Sequence, residues 1–167
     1  MASVEWLTAI VLTLIFFEDL KHRGVSWYYF LILLALVFWR FVEMRGEWDF
    51  VLVNAAFVLA QIAMVSLWFF IRKGTFRVIN QYLGLGDILF WTVMLFAFSP
   101  FNFILYFIAS AIFSLVCFVL FVRGEERTIP LAGFQSLFFV LLIIIRAFGF
   151  HWSNYDDYQL IAIFYGR

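Results

Sequence analysis

Apolar residues fill this chain in six runs, separated by short breaks that carry charge, glycine or proline. The runs predict helices over about 4–20, 26–42, 50–71, 88–98, 101–122 and 131–150. Lys21-His22-Arg23-Gly24 ends the first run, and a charged stretch from Glu43 to Asp49 follows the second. Arg72-Lys73-Gly74 ends the third, and Arg123-Gly124-Glu125-Glu126-Arg127 ends the fifth. Ser99-Pro100 parts the fourth from the fifth, with proline placed at a first helical position. No internal repeat or low-complexity linker interrupts the pattern, so residues 1–167 read as one domain.

A bilayer core about 30 Å thick takes roughly 20 apolar residues per helix. The pattern therefore predicts an all-α, polytopic integral membrane protein with about six transmembrane helices. The fourth run is short, since about 11 residues rise only ~17 Å. Either that helix continues through Pro100 with a kink, or Asp87 starts it below the membrane surface. In the second case the Gly84–Gly86 backbone dips in from the cytosol, which is tolerated only under protein or water.

Composition agrees with this class. Of 167 residues, 66% are hydrophobic and 13% charged, against about half apolar in soluble domains, and the mean hydropathy is +1.03. Net charge is zero with no basic tract, which leaves nucleic-acid binding without electrostatic support. The single cysteine, Cys117, excludes an intrachain disulfide and a cysteine-based zinc site, and is expected to pack as a small hydrophobe. No basic region precedes the first run and no small-residue cleavage site follows it, so that run is expected to be retained.

Lysine and arginine set the orientation. One set of loops carries Lys21, Arg23, Arg72, Lys73, Arg77, Arg123 and Arg127; the other side has Arg40, Arg45, Arg146 and Arg167. The richer side is expected to be cytoplasmic, with both termini on the outer side of a cytoplasmic (inner) membrane. Asp19, at the end of helix 1, and Asp87, at the start of helix 4, then reach the same cytoplasmic face. An ionisable residue near bilayer depth points to function. Two aspartates sharing a site cannot both ionise cheaply, so the pair holds one proton. The ionised member can take a proton from water while the other polarises a scissile carbonyl. Gly84 and Gly86 suit close approach of an extended substrate backbone. Taken by itself, Gly84-Leu85-Gly86-Asp87 also reads as an ordinary turn and helix cap. Glu18 and Asp19 point about 100° apart on a helix, so at most one faces Asp87. Arg23 serves either positive-inside anchoring or an acidic substrate segment.

Three stretches together resemble the type IV prepilin peptidases, membrane aspartic proteases of the GxGD type. Gly84-Leu85-Gly86-Asp87-Ile88 resembles the family's GxGD followed by an aliphatic residue. Asp19-Leu20-Lys21-His22-Arg23-Gly24-Val25 resembles its first catalytic motif, and Thr128-Ile129-Pro130-Leu131-Ala132-Gly133-Phe134 the stretch that opens its last helix. The resemblance implies catalysis by Asp19 and Asp87, with substrate approach at Gly84, Gly86 and Arg23. It implies an aspartic endopeptidase without metal or other cofactor. Its substrate would be a prepilin-like or pseudopilin membrane protein, cut at the cytoplasmic face just before its hydrophobic helix. With one cysteine, the chain resembles the short form lacking the zinc-binding, methylating domain. It departs from the family at Ser26-Trp27, where Pro-Asn is frequent, at Leu89, where lysine is common, and at Ala132-Gly133, where Gly-Pro is usual. Those departures support an alternative: a degenerate relative acting as a membrane scaffold or assembly subunit. A proton-coupled transporter ranks last, because the outer helix halves hold few polar residues besides Asn54 and Asn102.

Overall fold

In a computed structural model that describes residues 2–73, 84–121, 130–148 and 153–157, the described chain is all-helical, with no strand. The helices are α1 (Ala2–His22), α2 (Trp27–Glu43), α3 (Trp48–Lys73), α4 (Leu85–Met94), α5 (Pro100–Phe121) and α6 (Leu131–Ala147). Four of them close a ring. α1 packs against α6 and α2, and α4 bridges α2 back to α6. α5 lies outside on α6, and α3 packs only on α5 to any extent. Leu12, Ile15, Leu33, Phe90 and Met94 fill the ring and are fully buried, as burial of branched and aromatic side chains requires. Cys117 packs in the interior as anticipated.

The fourth helix differs from its predicted bounds of 88–98. It begins at Leu85, with Gly84 as N-cap, so Asp87 sits at the third helical position and Gly86 inside the first turn. It ends at Met94, and the chain turns over 95–97 before Pro100 opens α5, so the kinked continuation does not occur. Asn54 of α3 holds this turn, its Nδ2 donating to Leu95 O at 3.0 Å and Phe98 O at 2.9 Å. α1 extends two residues beyond the predicted 4–20, to His22, which places Asp19 within its last turn. Tryptophans at helix ends (Trp6, Trp27, Trp39, Trp48 and Trp68) are exposed, whereas Trp91 is buried and donates its Nε1–H to Gln135 Oε1 at 2.8 Å.

Two helices are long and apolar enough to cross a membrane, Trp48–Arg72 and Pro100–Leu120. Only 11% and 28% of their most apolar windows are buried within the protein. A helix apolar all round and so little covered needs an apolar surrounding.

The end of the bundle remote from Asp19 is closed by polar ties and rings. Arg40 of α2 and Arg146 of α6 both donate to Glu5 Oε1 of α1. Asp157 Oδ1 accepts from Ser99 Oγ at 2.5 Å and from the Asn102 N–H at 3.2 Å, so the residue caps the start of α5. Tyr155 donates its hydroxyl to Phe96 O at 2.9 Å, and burial pushes its phenol above the ordinary range, which keeps it neutral. Its ring joins Phe41, Phe38, Trp48 and Phe96 in one aromatic cluster.

Candidate active site

The first turn of α6 lacks a local cap. Pro130 stands at its N-cap and makes no side-chain hydrogen bond, so the amides that follow need acceptors from elsewhere. Two distant carboxylates supply them. The Gly133 N–H donates to Asp19 Oδ2 at 2.7 Å, across 114 residues of sequence. The Ala132 N–H donates to Asp87 Oδ1 at 2.8 Å, across 45. Negative charge at a helix N-terminus is favoured by the dipole, and hydrogen bonds to a carboxylate are stronger than neutral ones. The structure thus brings together Asp19 and Asp87, the two aspartates singled out in sequence, on consecutive amides and within electrostatic reach of each other.

Their surroundings differ. Asp19 is buried at 7% exposure, and its Oδ1 makes no hydrogen bond among the described residues. Asp87 is half-buried, and its Oδ2 accepts the Gly84 N–H at 3.1 Å. That bond is the return arm of a capping box; the other arm is missing because glycine has no side chain. Asp87 therefore has both oxygens engaged by backbone, and Asp19 keeps one for another partner.

Three glycines border the pair, with unequal demands. A Cβ on Gly133 would lie 3.0 Å from both Cβ and Oδ2 of Asp19, closer than side chains pack. A Cβ on Gly84 would come within 3.3 Å of Asp87 Oδ2. At Gly86 the nearest atom, Phe30 Cζ, is 3.8 Å away, an ordinary contact, so nothing in the described chain requires glycine there. Arg23 follows α1 in a left-handed conformation (φ 54°), and its N–H donates to Asp19 O at 2.9 Å. Its guanidinium is near enough to attract the Asp19 carboxylate.

Glu18 turns away from the pair and fastens the α1–α2 turn, accepting Ser26 Oγ–H at 2.5 Å and Ser26 N–H at 3.3 Å. Ser26 thus has a structural partner, while Trp27 and Leu89, two more positions that depart from the resembled family, are exposed. Gly133 and the α6 amides were not singled out as site residues. Their signal was a proline followed by Leu131-Ala132-Gly133 with no Ser, Thr, Asp or Asn to cap the helix. Among the described residues no three His, Cys, Asp or Glu side chains cluster as a metal site needs. No protein-family model, curated protein or solved structure matches this chain.

Proposed function

We propose that the chain is a polytopic membrane aspartic endopeptidase that cuts prepilin-like or pseudopilin precursors at the cytoplasmic face of the inner membrane. The observation that carries this reading is the meeting of Asp19 and Asp87 on consecutive amides of α6. The membrane placement rests on the outward apolar surface of the helices. Trp48 and Trp68, both exposed on α3, stand about 30 Å apart at 1.5 Å per residue, the thickness of a hydrocarbon core with interfacial tryptophans at each edge. Asn54 levels α3 with the end of α4. Counting helical rise from there, Asp87 lies roughly 9 Å inside the Trp68 level. This supports a site below the cytoplasmic surface, with six spans and both termini on the outer side.

In this mechanism the pair shares one proton and binds a water through the free Asp19 Oδ1. The ionised carboxylate removes a proton from that water as its oxygen attacks the scissile carbonyl carbon. The protonated carboxyl gives its proton to the carbonyl oxygen, forming a tetrahedral diol. Collapse breaks the C–N bond as one carboxyl gives its proton to the leaving amine and the ionised carboxylate takes a proton from a diol hydroxyl, which restores the pair with one proton. The α6 amides hold both carboxylates in place throughout.

The same hydrogen bonds favour a second reading, in which the aspartates only cap α6 and the protein is a scaffold or assembly subunit. Asn in place of Asp separates the two. Its side-chain oxygen still accepts the α6 amide, with Asp87→Asn giving up the Gly84 N–H bond at the exposed side, but it performs no acid–base chemistry. Asp19→Asn and Asp87→Asn variants are expected to insert and fold, and to abolish processing of a co-expressed precursor. Normal processing by either variant would defeat the endopeptidase assignment.

A further inference from the structure

At the end of the bundle opposite the aspartates, a cavity opens between α1, α2 and α6, walled in part by Glu5, Arg40, Arg146, Asn154 and Phe139. Its water-accessible volume of ≈ 40 Å³ exceeds what one water needs, about 10–15 Å³. Two guanidiniums face one carboxylate, so the charged lining carries a surplus of one positive charge. Glu43 takes a long 3.4 Å contact from Arg40 but does not line the cavity. Each guanidinium has five donors. Among the described residues Arg40 spends donors on Glu5 and Glu43, and Arg146 on Glu5 alone. The Asn154 side chain has no hydrogen bond there either. Donors and positive charge therefore exceed acceptors around a space large enough to hold a small oxyanion.

The level of the cavity indicates the source of that anion. Trp6 and Trp39 adjoin Glu5 and Arg40 in sequence and are 52% and 66% exposed, as expected of rings at the membrane interface. Lipid phosphates lie at that depth, and a guanidinium pair matches their geometry. We infer that this cavity is a phosphate-binding site, filled in the membrane by an anionic phospholipid headgroup held between Arg40 and Arg146. The inference depends on the membrane placement and not on peptidase activity.

The test uses the full chain in dodecyl maltoside, reading its melting temperature against phosphatidylglycerol, a neutral diglucosyl lipid with the same acyl chains, and inorganic phosphate. Phosphatidylglycerol is expected to give a saturable rise that the glycolipid does not. Arg146→Gln should raise the half-saturating concentration at least tenfold. Glu5→Gln should lower it several-fold, because it removes the competing carboxylate; a purely structural clamp would lose stability and gain no affinity. Stabilisation by inorganic phosphate equal to that by the lipid would uphold the site and assign its anion to a soluble source. Equal shifts with both lipids and none with phosphate, or a half-saturation unmoved in both variants, would overturn the proposal.

Discussion

Gly133→Ala is the sharpest probe of the α6 amides. The new Cβ would stand 3.0 Å from Asp19 Cβ and Oδ2, where ordinary contact begins at 3.4 Å, so Asp19 or α6 must give way by 0.4 Å (3.4 − 3.0). The Asp19 carboxylate is tied to the same residue's N–H at 2.7 Å, and that bond is strained by the shift. Overpacking costs about 1–3 kcal/mol. Losing a hydrogen bond to a charged group costs about 1.5–3 kcal/mol more. Alanine returns about 1 kcal/mol through helix propensity. The expected net destabilisation is about 1.5–5 kcal/mol, read as a lowered unfolding midpoint in detergent. Precursor processing should fall further than stability, because misplacing a reacting group by about 1 Å costs on the order of 100-fold. Gly86→Ala is the internal control. Its Cβ meets only Phe30 Cζ at 3.8 Å, so stability should hold or rise slightly, while processing falls if substrate backbone passes over that turn. A Gly133→Ala protein that melts and processes like the wild type would refute the reasoning.

Three further substitutions test the frame around the site. Gly46→Ala should cost about 1–3 kcal/mol in thermal stability, because a Cβ there overlaps the Phe41 ring inside the aromatic cluster. Asp157→Ala should cost about 0.5–2 kcal/mol by uncapping α5, and Asp157→Asn should recover most of it in the same melting assay. Ser26→Ala removes the shorter of the two hydrogen bonds that Glu18 accepts across the α1–α2 turn and keeps the one from the residue 26 N–H; a loss of about 1–2 kcal/mol is expected, with processing per folded molecule unchanged.

Helix number and order were legible because each apolar run ends in glycine, proline or charge, which stop helices wherever they pack. The start of α4 was not. Gly84 and Gly86 both read as turn residues, but Gly86 lies in the first helical turn, from which Asp87 can reach back to the Gly84 N–H. At the site, charge asymmetry sufficed to bring Asp19 and Asp87 to one face. Choosing Asp19 over Glu18 was beyond local physics, since the choice rests on Ser26 drawing Glu18 into the turn. The third participant was hidden for a related reason: a cap supplied from 114 residues away leaves no pattern beside the helix it caps. In the sequence Arg40 and Arg146 stand only as charges on the outer side, and their shared Glu5 emerges only when α1, α2 and α6 are packed.

Hanging both carboxylates from neighbouring amides has a consequence for how the pair tolerates motion. Adjacent backbone nitrogens in a helix are about 3 Å apart, a distance set by bond lengths, bond angles and the helical ψ between them. The helical backbone at Ala132 acts as a gauge block, and the spacing of the two carboxylate contacts is inherited from the first turn of α6. Thermal drift of α1 or α4 in a fluid bilayer can tilt the pair without spreading it while both bonds hold. Helices only loosely confined by their surroundings would thereby keep the two acids in step through α6.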